Sequence, residues 1–102
     1  MKLSCICLLA SFLGAAENPR VNPYAGHPQE IKAGEKLYRR HCASCHEASE
    51  QAPRLSPGST AMSADELYRL LRNGRLRRGM PSWAQLPSEQ RWQIIAWLAA
   101  LP

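Results

Sequence analysis

The sequence predicts a small all-α domain. Three stretches place apolar residues at helical spacing, no period-two segment of useful length occurs, and there is neither an internal repeat nor a low-complexity tract. The 102 residues hold a short apolar start and then enough chain for one compact domain. The search is therefore for a single site.

Lys2 precedes an uncharged apolar run from Leu3 to Ala16, and Gly14-Ala15-Ala16 offers the small residues that a signal peptidase reads. The run is shorter than the roughly 18 to 20 residues needed to cross a bilayer as a helix. Residues 1–16 thus read as a cleaved export signal, with an uncleaved anchor as the alternative. Cys5 and Cys7 fall inside this leader, too close to Met1 for a lipoprotein signal to precede them. Residues 17–27 carry Pro19, Pro23 and Gly26 without apolar periodicity and read as an extended arm. Residues 28–102 form the domain.

The first helix opens with Pro28 at its first position and Glu30 in its first turn. Ile31, Gly34, Leu37, Tyr38 and Cys42 then follow along one side, so the helix ends near the cysteines. Residues 47–61 contain Pro53, Pro57 and Gly58 and predict a loop that must lie against something to stay ordered. Ser63-Ala64-Asp65-Glu66 has capping-box spacing, with Glu66 placed to reach back to the backbone of Ser63. Leu67, Leu70 and Leu71 share one face of that second helix, and Asn73-Gly74 reads as a left-handed stop. A second loop, residues 75–87, includes Gly79-Met80-Pro81 and Trp83, and Pro81 forbids a helix through it. Ser88 is expected to cap a last helix. There Trp92, Ile95, Ala96 and Ala99 form one stripe that Ile94, Trp97, Leu98 and Leu101 broaden.

The string that carries chemistry is Cys42-Ala43-Ser44-Cys45-His46. Its spacing is that of c-type haem attachment. On a helical turn the two thiols project from neighbouring positions, within reach of two vinyl groups, and the following imidazole turns toward the iron. With the leader removed, Cys42 and Cys45 are the remaining cysteines in an oxidising compartment, so their use needs explaining. A domain of this size buries a limited core and gains from a large apolar cofactor. Two other readings compete. A redox dithiol needs a preceding strand and a βαβ context, and zinc needs a further ligand such as His41 or His27.

Ala33-Gly34-Glu35-Lys36-Leu37-Tyr38 before the motif, Pro53-Arg54-Leu55 after it, Arg72-Asn73-Gly74, Met80-Pro81 and an aromatic-rich last helix complete a pattern over about Gln29 to Leu101. In these residues the chain resembles the class I cytochromes c, and is similar to the haem modules found with bacterial oxidases and dehydrogenases. The resemblance implies a small cytochrome c fold, three main helices and irregular loops wrapped around one covalent haem c. It implies His46 as the proximal iron ligand and Met80 as the distal one, and a Pro53 carbonyl that accepts from His46. Met62 is the other methionine beyond the leader, and its place beside a helix cap suits packing. Leu55, Leu67, Leu71 and Trp83 are candidate haem contacts, each equally able to serve as core. Gly34 and Tyr38 are expected to cross the last helix near Ala96 and Trp97.

The formal net charge is +5, and Arg72, Arg75, Arg77 and Arg78 cluster just before Met80. Such a cluster can steer a redox partner with an acidic docking face, while solvated surface arginines are the plainer reading. The basic residues are not interleaved with stacking aromatics, which speaks against nucleic acid. The expected function is single-electron transfer between periplasmic or membrane redox proteins, with no catalytic residue and with membrane association only through a partner or an uncleaved N-terminus. The alternatives are a haem sensor or peroxidase-like enzyme with an open distal site, or a fixed subunit of a dehydrogenase or oxidase.

Overall fold

The computed structural model describes residues 18–55 and 62–102. The leader with Cys5 and Cys7, the first residue of the arm, and Ser56 to Ala61 of the first loop lie outside the described residues. Among those described, the order is α1 (Pro28–His41), α2 (Ala43–His46), α3 (Ala64–Asn73), a 3-10 turn (Leu76–Arg78) and α4 (Ser88–Ala99). The all-α expectation holds. The one β feature among the described residues is an isolated bridge between Arg75 and Met80.

α1 begins at Pro28, whose missing N–H costs nothing in a first turn, and carries Arg39, Arg40 and His41 where the helix dipole favours positive charge. Its buried residues, Gly34 and Tyr38, lie one turn apart and face α4, the most extensive helix pairing among the described residues. A Cβ built on Gly34 would overlap the backbone carbonyl of Gln93. The Gly34 crossing thus lies at Gln93 and Ile94, nearly a turn before the expected Ala96. Tyr38 does meet Trp97, with ring centroids 4.3 Å apart, a pairing worth about 0.5–1.5 kcal/mol beyond its burial.

Ser63 caps α3 by accepting from the Glu66 N–H at 3.2 Å. The Glu66 carboxylate accepts in turn from the Ser63 hydroxyl at 3.1 Å, so the reciprocal contact goes to the side chain instead of the expected backbone N–H. Gly74 ends α3 at φ 70° and ψ −175°, a region beyond the left-handed helical basin that is open almost only to glycine. A Cβ there would also stand 2.7 Å from the backbone of Pro81 and Ser82. The stop therefore doubles as the place where the second loop folds back.

α4 starts one residue earlier in role than expected. The Pro87 carbonyl accepts from Gln90 and Arg91, which makes Pro87 the cap and puts Ser88 in the first turn without a capping bond. Trp92, Ile94, Ile95, Ala96 and Leu98 are buried, as the broad apolar girth predicts, but Ala99 at the helix end is exposed. The core joins these side chains to Leu67, Tyr68 and Leu71 of α3.

The arm is pinned across the helices. Arg20 donates to Asp65 from its backbone at 3.1 Å and its guanidinium at 2.9 Å, and lies over the Tyr68 ring at 4.9 Å. Buried Asn22 donates to the Trp92 carbonyl at 3.0 Å. The Arg20 hydrogen bonds, with Arg69 adding a second positive charge, hold the Asp65 carboxyl below the usual aspartate value. A carboxyl so depressed contributes stability above its unfolded pKa and loses it as pH falls through the folded one.

Two outcomes follow. Gly34→Ala should lower stability by about 1–3 kcal/mol through forced separation of α1 and α4, read from denaturant unfolding of the haem-loaded protein; an unchanged midpoint would contradict the close crossing. Wild-type stability should drop more steeply than that of Asp65→Asn as pH falls below the ordinary carboxylate range. Parallel acid limbs would remove the ion pair from the account.

Candidate functional site

Cys42 is both the end of α1 and the start of α2. Its N–H donates to Tyr38 at 2.8 Å, while its carbonyl accepts from Cys45 at 3.2 Å and His46 at 2.9 Å. One helical turn therefore sets both thiols and the imidazole at the end of the helix that Gly34 seats against α4. Both thiols are free, Cys42 half-buried and Cys45 exposed. Burial, with Cys45 as neighbour, pushes the Cys42 thiol up to about 11, so it stays protonated at neutral pH.

His46 Nδ1 lies 2.7 Å from the Pro53 carbonyl oxygen. A carbonyl only accepts, so Nδ1 carries the proton, and in the neutral imidazole the lone pair is on Nε2. The chain between them is braced by Glu47, whose carboxylate accepts from Arg39 at 3.0 and 3.2 Å and whose backbone carbonyl accepts from Arg54 at 3.3 Å. Burial and the adjacent Glu47 carboxylate push the Tyr38 hydroxyl up to about 12.

The loop that bears Met80 is fastened on both sides of it. Arg75 and Met80 exchange backbone bonds of 3.0 and 3.1 Å, and the Trp83 N–H donates to Leu71 at 2.8 Å. The Ser82 hydroxyl donates to the Arg72 carbonyl at 2.5 Å. The Trp83 ring then stands 5.0 Å from that of His41, which brings this loop against the end of α1, one residue before Cys42. Leu55, Met80 and Trp83 are half-buried and pack on the core cluster, as does Met62. Leu67 and Leu71 are fully part of that core.

Arg75, Arg77 and Arg78 are exposed and make no salt bridge among the described residues. Arg72 differs from them. It is half-buried on α3, over the Tyr68 ring at 5.9 Å, so the arginine cluster divides into one packed and three solvated members.

The sequence reading missed Arg91. This residue is buried in α4 and donates to Tyr68 and to three backbone carbonyls of the second loop. Its hydrogen bond holds the Tyr68 hydroxyl below the usual tyrosine value. The available signal was a single cation between Gln90 and Trp92 on a helix otherwise apolar over much of its girth, where a charge must either reach solvent or find partners.

The donor set fits a covalent haem. Two free thiols sit a turn apart beside an imidazole whose free nitrogen is Nε2, with half-buried apolar groups and a thioether on the loops around them. The competing readings do not fit. Among the described residues no three His, Cys, Asp or Glu side chains gather to hold a metal ion, and His41 faces Trp83. A helix, not a strand, leads into Cys42, as a thioredoxin-like dithiol would not allow. Fold and site together define the class of small c-type cytochromes.

Residues 29–98 match the family model described as cytochrome c oxidase, cbb3-type, subunit III, and the chain belongs to that family. Neither the comparison with curated proteins nor that with solved structures gives a match. The protein is a c-type haem electron-transfer module whose cofactor is one covalent haem c.

Proposed function

We propose that this chain is a single-electron carrier in which Cys42 and Cys45 would form the two thioethers and His46 and Met80 would be the two ligands of the iron. The observation that carries the reading is the 2.7 Å approach of His46 Nδ1 to the Pro53 carbonyl, within one turn of two free thiols. This contact fixes the tautomer, leaves Nε2 available to a metal and makes the imidazole a stronger donor. When bound, the haem supplies a one-electron couple, and a thioether opposite an imidazole favours its reduced state. Met80 suits the distal place because its loop is tied to itself at Arg75 and to α3 at Leu71 and Arg72. Leu55 and Trp83 offer apolar surface that excludes water from the cofactor. No group of the chain transforms a substrate, and the protein is not an enzyme by itself.

Export through residues 1–16 to the periplasm agrees with the c-type cytochrome class, whose members are generally extracytoplasmic. No helix among the described residues is long and apolar enough to cross a membrane. Exposed Arg75, Arg77 and Arg78 form the face that meets an acidic redox partner, with Arg72 behind them. The family description favours a second reading, in which the same chain is a fixed subunit of a terminal oxidase. Co-purification at physiological salt separates the two: a subunit stays bound and a shuttle dissociates.

Met80→Ala should keep covalent haem, seen on a denaturing gel stained for haem, and lose the ferric sulfur-to-iron absorption band. Cys45→Ala should instead impair attachment itself. A Met80→Ala spectrum identical to wild type would reject the ligand assignment. Electron transfer to the partner should slow as salt rises, and more gently in Arg77→Gln/Arg78→Gln than in wild type. Equal salt dependence would place docking on another face.

A further inference from the structure

A buried guanidinium is unfavourable unless its N–H groups are met. Arg91 is 6% exposed, and its bonds converge on one segment. Nη1 donates to the carbonyl of Leu86 at 2.6 Å and shares itself between those of Trp83 and Ala84, each at 3.2 Å. Nη2 donates to the Tyr68 hydroxyl at 3.1 Å, and Nε has no partner among the described residues. The guanidinium is thereby seated between α3, α4 and the second loop.

The three carbonyls belong to the stretch that follows Met80. Upstream, the exchange of bonds with Arg75 makes Met80 the end of a closed hairpin. Between hairpin and carbonyls, Ser82 and Trp83 are tied to the end of α3. α3 ties thus hold the chain just after Met80, while the Arg91 side chain joins the Trp83, Ala84 and Leu86 carbonyls to α4, whose own backbone meets the loop only at Pro87. Trp83 links the two sets of ties, because its N–H is held by Leu71 and its carbonyl by Arg91.

We propose that Arg91 is a positioning residue for Met80. It fixes the loop against α4, and so sets how readily the thioether yields its place to another ligand. The proposal rests on the reading of Met80 as the distal ligand. Arg91 itself does not reach the iron in this role. Its effect passes through the carbonyls of Trp83, Ala84 and Leu86, which lose their side-chain donor without it; the Trp83 carbonyl then keeps only the Leu86 N–H.

The test uses the haem-loaded, full-length protein in the ferric state, titrated with imidazole as the competing ligand. Arg91→Met should bind imidazole at least about tenfold more tightly than wild type, since the charged donor to the loop is gone. Arg91→Lys, which keeps the charge but has one donor group on a shorter reach, should fall between them. Asn22→Ala is the control. It removes the arm's bond to Trp92 and lowers overall stability, yet its imidazole affinity should stay within about twofold of wild type, because the bonds of Asn22 go to α4 and to the arm and none to the loop. An affinity in both Arg91 variants equal to that of wild type would overturn the proposal, and so would a rise in Asn22→Ala that matches theirs. Should Arg91→Met fail to fold, the Lys variant alone decides by the same comparison. A wild-type protein without the sulfur-to-iron band would overturn the ligand assignment and the proposal with it. The band in wild type, with unchanged affinity in the variants, would overturn the role of Arg91 alone.

Discussion

The close approach of α1 to α4 at Gly34 is the constraint on which the rest of the structure depends. With no side chain there, the two backbones come near enough for the Gln93 carbonyl to occupy the space of a Cβ. That contact sets the angle at which α1 leaves α4. One turn later Tyr38 meets Trp97, and one further turn brings the chain to Cys42. Its backbone then passes directly into the turn that holds Cys45 and His46. The turn of Cys42, Cys45 and His46 is thus placed by helix packing some distance before it, and a widening of the crossing would be felt at the thiols.

The other half of the site is placed by polar bonds. The Met80 loop contributes few fully buried apolar groups, and its order comes from carbonyls and N–H groups satisfied by α3 and α4. This division suits a redox protein. The His46 side is carried by a helix terminus and a proline carbonyl, while the Met80 side hangs on hydrogen bonds that a few substitutions can weaken. Exposed arginines on the hairpin just before Met80 put charge where a partner can touch the same loop. Under the proposed function, docking and ligand strength share one segment.

Much of this was legible in the sequence, for physical reasons that differ by residue. Cys42, Cys45 and His46 stand out because the proposed attachment and ligation demand a fixed spacing on one turn, and the backbone does place all three on one. Ser63 with Glu66 marks the start of α3 because a cap is a local interaction. The start of α4 was misjudged because Pro87 offers its carbonyl as well as Ser88 its hydroxyl, and composition does not say which opens the helix. The break between α1 and α2 has no signature either, since it is a change of backbone angle at Cys42. Arg20, Asn22 and Arg91 were illegible in their partners. Arg20 meets a residue 45 positions away and Asn22 one 70 positions away, distances at which no local pattern survives. The Pro53 carbonyl entered through resemblance to a family, and nothing in its own neighbourhood announces it.

The measurement that tests the central claim most directly is a methyl NMR spectrum of the reduced protein carrying labelled methionine. Met1, Met62 and Met80 are its three methionines. A methyl group held against the face of a haem is shifted far upfield by the ring current, whereas one packed in a core is not. The account predicts that the Met80 methyl, assigned by substitution, lies far upfield and that Met62 stays in the ordinary range. A Met80 methyl in the ordinary range, or an upfield signal that belongs to Met62, would contradict it.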